Sequence, residues 1–154
     1  MKRELGDGIE LDDDKARVDV AAVHRYLSEE SYWAEGRTLE RQQDLVDGAE
    51  RVLGLYDKGR QIGFCRAATN DGVSFAYLAD VYVLAEYRGR KLGEALVEEM
   101  VERGPLADRI WLLHTKDAHG LYRKFGFGPP GERLMERRPE NQASRASNHS
   151  SDNE

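Results

Sequence analysis

Apolar positions in this chain change period several times, and each change marks an element. Val20, Val23 and Leu27 share one helical face, and Asp19 stands where an N-cap would accept from the first turn. Val18 before that cap and Val23 four positions into the helix form a hydrophobic staple. The spacing predicts a helix to about Ser28. Thr38 caps a second predicted helix reaching Asp47, with Gly48 as its stop. Arg51–Tyr56 and Gln61–Thr69 read as strands joined by the turn Asp57-Lys58-Gly59-Arg60, a β-hairpin. Strict alternation along the second strand places Ile62, Phe64 and Ala68 on one face and Gly63, Cys65 and Ala67 on the other.

After the turn Asn70-Asp71-Gly72, Phe75–Val83 is an apolar, β-branched and aromatic run that reads as the central strand. Glu94–Arg103 follows as a helix whose stripe is Leu92, Leu96 and Met100, and Gly104-Pro105 ends it. Ile110–His114 is a short apolar strand. Asp117 is the expected cap of a last helix to about Lys124, with Gly126 as a left-handed C′ residue. Gly128-Pro129-Pro130-Gly131 makes a sharp turn, and Leu134-Met135 reads as a final short strand. At the other end, Ile9 and Leu11 alternate with acids as a short edge strand, and Asp12-Asp13-Asp14 reads as a solvated turn. From Pro139 apolar residues vanish, so residues 1–138 read as one domain and 139–154 as a disordered polar tail.

Composition narrows the function classes. With 154 residues there is enough chain for one domain with a core. A formal net charge of −6 argues against a general nucleic-acid binder. Cys65 is the only cysteine, so no internal disulfide can form, in keeping with a reducing cytoplasm. Met1-Lys2-Arg3-Glu4 leads into no apolar run, and no stretch approaches the ~20 apolar residues of a membrane span. The expectation is a cytoplasmic chain with no membrane partner.

Chemistry concentrates between Tyr77 and Gly93. A strand runs into a loop holding Arg88, Gly89, Arg90, Lys91, Leu92 and Gly93, and then into a helix. The first amides of a helix have no internal partner and face the positive end of its dipole, so this arrangement suits a phosphate. Gly89-x-x-x-Gly93 is neither the three-glycine dinucleotide fingerprint nor a P-loop. Tyr87-Arg88-Gly89-Arg90-Lys91-Leu92-Gly93 resembles the pyrophosphate motif of the GNAT acetyltransferase superfamily, Arg/Gln-x-x-Gly-x-Gly/Ala. Ala118-His119-Gly120-Leu121-Tyr122-Arg123-Lys124-Phe125-Gly126-Phe127 resembles that superfamily's second signature, Ala-x-x-Leu-Tyr-x-x-x-Gly-Phe. Lys91 departs from the pattern, which has Gly there; a lysine amide still serves phosphate if its φ is negative. The resemblance covers about Ile62 to Phe127.

That resemblance implies a mixed, mostly antiparallel twisted α/β sheet with helices on both faces and a splayed central strand. It implies acetyl-CoA as co-substrate, without metal, and an acetyl group moved to a primary amine of a small molecule by direct attack. Carried over by position, the backbone of Val81 and Val83 would hold pantetheine, and the amides from Arg88 to Gly93 the pyrophosphate. Tyr122 matches the tyrosine that commonly protonates the departing thiolate. Family members are often dimers, which makes a homodimer an expectation here.

Other candidates come from the residues alone. Asp80 interrupts an apolar strand; it either takes the amine's proton or bonds Arg66 or a backbone amide and is structural. Tyr32, Trp33 and Arg37 in the variable N-terminal third either wall the acceptor pocket or, for the aromatics, anchor the two helices. His114, Asp117 and His119 match no common metal spacing, and His119 shares a helix face with Tyr122. Cys65 reads as a buried filler. A non-catalytic CoA-binding module and an interaction protein with an acidic N-terminal segment are the competing function classes.

Overall fold

The computed structural model describes residues 1–71 and 73–140. Six strands, β1 (Lys2–Gly6), β2 (Ile9–Asp12), β3 (Arg51–Asp57), β4 (Arg60–Ala68), β5 (Phe75–Val83) and β6 (Ile110–Leu112), form one sheet in chain order. Every neighbouring pair is antiparallel except β5 and β6, which run parallel. Four helices, α1 (Val20–Glu30), α2 (Leu39–Asp47), α3 (Leu92–Glu102) and α4 (His119–Arg123), cover it. The fold is therefore the expected mixed α/β sheet with helices on both faces.

Two cores lie on opposite faces of the sheet. Leu53, Leu55, Cys65, Ala76 and Leu78 pack with Leu92, Leu96, Val97 and Met100 of α3 and with Tyr122 of α4. On the other face Val52, Phe64 and Tyr82 pack with Val23 and Leu27 of α1 and Val46 of α2. The helix starts follow their caps. Asp19 accepts from the Ala22 amide at 3.0 Å and Thr38 Oγ1 from the Arg41 amide at 3.1 Å.

Several expectations are corrected. Ile9–Asp12 is not an edge, because β1 pairs outside it and places Leu5 against the larger core. Asp13 is not left to solvent but accepts from the Arg51 guanidinium, and Asp14 caps a 3-10 turn at Lys15–Arg17. Ile62 does not share a face with Phe64. Leu55 pairs with Gly63 but Tyr56 with Gln61, so Ile62 is an extra residue and joins Cys65 and Ala67 under α3. Asp117 does not cap α4; Thr115 Oγ1 receives the Ala118 amide at 3.0 Å instead. Leu134 and Met135 form no strand and are exposed, which leaves β6 at the edge of the sheet. The tail reading falls, from residue 141 onward, outside the described residues. Among the described residues no helix is long and apolar enough to cross a membrane.

Candidate active site

The site is built around the second half of β5. Its pairing with β6 ends at Tyr77 and Leu112, while its pairing with β4 continues to Val83 and Gly63. Residues 78–83 therefore keep one edge free of β6, the splay that the resemblance implied. Free strand amides and carbonyls are obligatory hydrogen-bonding groups that an extended ligand can satisfy. Val81 and Val83 pack toward α3, so their side chains serve the core while their backbone borders the splay.

The same strand runs directly into the basic loop. A 3-10 turn at Ala85–Tyr87 leads to Arg88, whose Nη2 donates to Tyr26 Oη at 2.7 Å. Gly89 follows with φ +79, and Lys91 stands as the N-cap of α3 with φ +59. The condition placed on Lys91, a negative φ, is not met. This chain holds a lysine in the left-handed conformation that glycine adopts freely, so the backbone of the loop takes the path a glycine would give it and the negative φ is not required of the amide. The Lys91 side chain does not cap the first turn of α3, and among the described residues its amides remain available to an anion. Arg90 lies over the Tyr87 ring at 5.6 Å. A Cβ at Gly93 would meet only Val83 Cγ2, at 4.0 Å, so the approach to the amides is open. A recess of about 240 Å³ lined by Lys91, Glu94, Ala95, Glu98 and Phe125 adjoins this end of α3. The larger cavity, about 360 Å³ between α1 and the β3–β4 turn, contains none of the predicted site residues.

Asp80 faces the other way, and a bulge is the reason. Ala76 and Leu78 point to the α3 core, so alternation would send Asp80 there too. Phe64 pairs with Tyr82 but Arg66 with Ala79, so β5 carries an extra residue, and Asp80 takes φ +56. The phase flips. The Asp80 carboxylate then meets the α1–α2 face, where it is 1% exposed. Oδ2 accepts from Arg66 Nε at 2.7 Å and Arg37 Nη1 at 2.9 Å, and Oδ1 from Trp33 Nε1 at 3.3 Å. Burial pushes the carboxyl up, but Arg66 and Arg37 together outweigh it and hold Asp80 below the usual carboxylate range. Of the two readings of Asp80, this geometry matches the bond to Arg66. Sequence reasoning named Arg66 only as a partner and missed Gln42, whose Oε1 accepts from Arg37 at 3.0 Å.

Trp33 and Tyr32 meet edge to face at 5.2 Å and stay half exposed. Lys116 Nζ lies 5.6 Å from the Tyr32 ring, which links this loop to the β6–α4 connection. From that connection Tyr122 enters the α3 core, edge to face with Phe127 at 5.8 Å. Burial, with smaller effects from Cys65, Asp117 and Tyr32, pushes its hydroxyl up to about 12. Gly126, at φ +82, ends α4 as expected and turns Phe127 back, its amide donating to the Tyr122 carbonyl at 3.2 Å. Cys65 is fully buried and its thiol is pushed up to about 12 by burial, so it is a filler and no nucleophile at neutral pH. Both ring nitrogens of His114 are engaged: Nδ1 bonds Tyr77 Oη at 2.6 Å and Nε2 bonds Glu136 at 3.1 Å. Among the described residues no group of three or more His, Cys, Asp or Glu is placed to hold a metal.

A free β-edge leading to a basic helix start offers hydrogen-bonding groups to an extended ligand and a site for an anion. The family described as Acetyltransferase (GNAT) family matches residues 20–127, and the chain belongs to it. A crystal structure of a GNAT-family protein from Xanthomonas campestris pv. campestris is 36% identical with a TM-score of 0.78, covering 85% of this chain and 93% of that one. A Gibberella zeae protein named "Putative acetyltransferase FG08082" is 29% identical over 137 residues, 73% of this chain and 75% of its own. A Clostridium acetobutylicum protein whose structure contains acetyl-CoA shares the fold at 14% identity and a TM-score of 0.63, covering 89% of this chain and 96% of that one.

Proposed function

We propose that this protein is an acetyl-CoA-dependent N-acetyltransferase acting on a primary amine of a small molecule. The observation that carries the reading is continuity: the free edge of residues 78–83 leads through one short basic loop into the first turn of α3. Backbone groups of Val81 and Val83 hold pantetheine, and the amides from Arg88 to Gly93 hold the pyrophosphate, with Arg88 and Arg90 adding charge. The thioester then lies beside the Asp80 bulge, between the two faces of the sheet. The amine enters from the α1–α2 side past Tyr32 and Trp33.

Attack of the neutral amine forms the C–N bond and expels the thiolate. Tyr122 stays protonated at neutral pH and donates to the departing sulfur. Asp80 already accepts from Trp33, Arg37 and Arg66, and its proton affinity is lowered. Its role in this reading is to position those three side chains, and the amine's proton leaves through the open acceptor mouth. The test is calorimetric titration with acetyl-CoA and desulfo-CoA, followed by thiol release with an amine panel. Binding of both ligands and turnover with at least one amine supports the reading. No binding at millimolar ligand overturns it.

A further inference from the structure

The cluster on the α1–α2 face has more cation than it needs. Arg37 and Arg66 share the single carboxylate of Asp80, so the three groups carry a net positive charge. Both guanidinium side chains are mostly buried, 16% and 11% exposed. Arg66 commits only Nε to Asp80, and among the described residues neither of its Nη groups has a hydrogen-bond acceptor. Arg37 commits only Nη1. A mostly buried guanidinium whose remaining donors still reach solvent is a recognition group for a planar anion, because its fork matches the two oxygens of a carboxylate. Next to this charge stand the half-exposed Tyr32 and Trp33, with Lys116 over the Tyr32 ring. An apolar wall beside a cationic fork fits a ligand with an apolar body and an acidic group.

We propose that the acceptor is a carboxylated primary amine, its carboxylate held by the free edges of Arg66 and Arg37 and its body laid against Tyr32 and Trp33. This rests on the acetyltransferase reading. The reaction balances without further reagents: nitrogen bonds the acetyl carbonyl carbon, the carbon–sulfur bond breaks with its electron pair on sulfur, the sulfur takes its proton from Tyr122, and solvent accepts the amine's proton and returns one to Tyr122. Asp80 acts as the positioning residue that sets the spacing of the two guanidinium groups.

The experiment compares matched amines with and without the carboxylate, such as phenylalanine with phenethylamine and tryptophan with tryptamine. Thiol release is followed with acetyl-CoA, and amine binding by calorimetry without it. The expected result is a kcat/KM at least tenfold higher for the carboxylated member of a pair. In Arg66→Lys, which keeps the charge but loses the fork, that ratio falls toward one through a rise in KM for the carboxylated amine. Equal or better use of the decarboxylated amines overturns the proposal, as does an Arg66→Lys variant that lowers both members equally, the signature of a group acting on the reacting carbonyl. If no amine releases thiol but the carboxylated members still bind tenfold more tightly, the carboxylate site stands and the acetyltransferase reading fails.

Discussion

Arg66 Nε donates to Asp80 Oδ2 at 2.7 Å across the β4–β5 pair, where β5 carries its extra residue. The Asp80 carboxylate also joins the sheet to the loop between α1 and α2, because the same oxygen takes Arg37 Nη1. Asp80→Asn removes the charge that both guanidinium groups face, and taking one partner from a buried pair costs roughly 3 kcal/mol. Urea denaturation is expected to show a loss of that size. Stabilities of the two proteins within 0.5 kcal/mol, taken roughly as the noise of a surface substitution, would refute it.

The same carboxylate sets an acid limb. Its folded pKa lies below the unfolded value, near ~3.9 for a free Asp. The stability it contributes is therefore complete above the unfolded value and is lost as pH falls through the folded one. Midpoints of denaturation measured from neutral pH downward should fall in the wild type more steeply than in Asp80→Asn. Parallel curves would mean that Asp80 titrates alike folded and unfolded.

Tyr122→Phe keeps the packing against Phe127 and removes only the hydroxyl. Loss of a positioned acid is worth on the order of 10²-fold in kcat, with acetyl-CoA affinity retained. Because the hydroxyl is raised to about 12, the wild-type rate should show no falling limb from this tyrosine below about pH 11. Full turnover in the variant would assign Tyr122 to packing.

What could be read from the chain alone was whatever local chemistry decides. The caps at Asp19 and Thr38, the β3–β4 turn and the run Phe75–Val83 all have short-range signals, and each element stands where its signal put it. The bulges at Ile62 and Asp80 have none, because an extra residue is defined only against the partner strand. That is why alternation misplaced Ile62. The cluster around Asp80 was half legible: Trp33 and Arg37 stood among the candidates, but their meeting with Asp80 spans more than 40 positions of chain. The interruption of the apolar pattern of β4 by Arg66 was the signal for its place in that cluster. β1 was missed because Lys2-Arg3-Glu4-Leu5-Gly6 has one apolar side chain, and its pairing is set by β2.

Lys91 sits at φ +59, a conformation that costs an L-residue roughly 1 kcal/mol and glycine nothing. Lys91→Gly regains that strain and loses backbone entropy of similar size, so stability should change by less than about 1 kcal/mol. Lys91→Val, β-branched at the same φ, should destabilise by more than that. Equal stabilities of the two variants in urea would show that α3 starts with a different backbone.

Gly89 tests the ligand side of the same loop. A Cβ there would meet nothing within 4 Å, so the protein leaves room, but φ +79 excludes a branched side chain without strain. Gly89→Val should shift the backbone and crowd the approach to the amides. Acetyl-CoA affinity is expected to fall at least tenfold, about 1.4 kcal/mol. A folded variant with unchanged affinity would move the anion site off this loop.

Gly104 makes a prediction independent of function. A Cβ there would fall on Nη1 of Arg51. That guanidinium cannot swing aside cheaply: it is 6% exposed, donates from Nη1 to the Glu99 carbonyl at 2.9 Å, and pairs with Asp13 and Glu99. Glu99 in turn holds Arg3 of β1 at 2.8 Å, so the network ties the edge of the sheet to α3. Gly104→Ala should therefore destabilise by about 2 kcal/mol or more, although Gly104 has no positive φ and alanine at such a backbone ordinarily stabilises, because a buried charge pair loses its geometry. Urea denaturation of Gly104→Ala, Arg51→Met and the double variant checks the cause. If Arg51 is the obstacle, the alanine costs little once methionine has replaced it, and the cycle shows a coupling of at least about 1 kcal/mol. Additive losses would place the obstacle elsewhere.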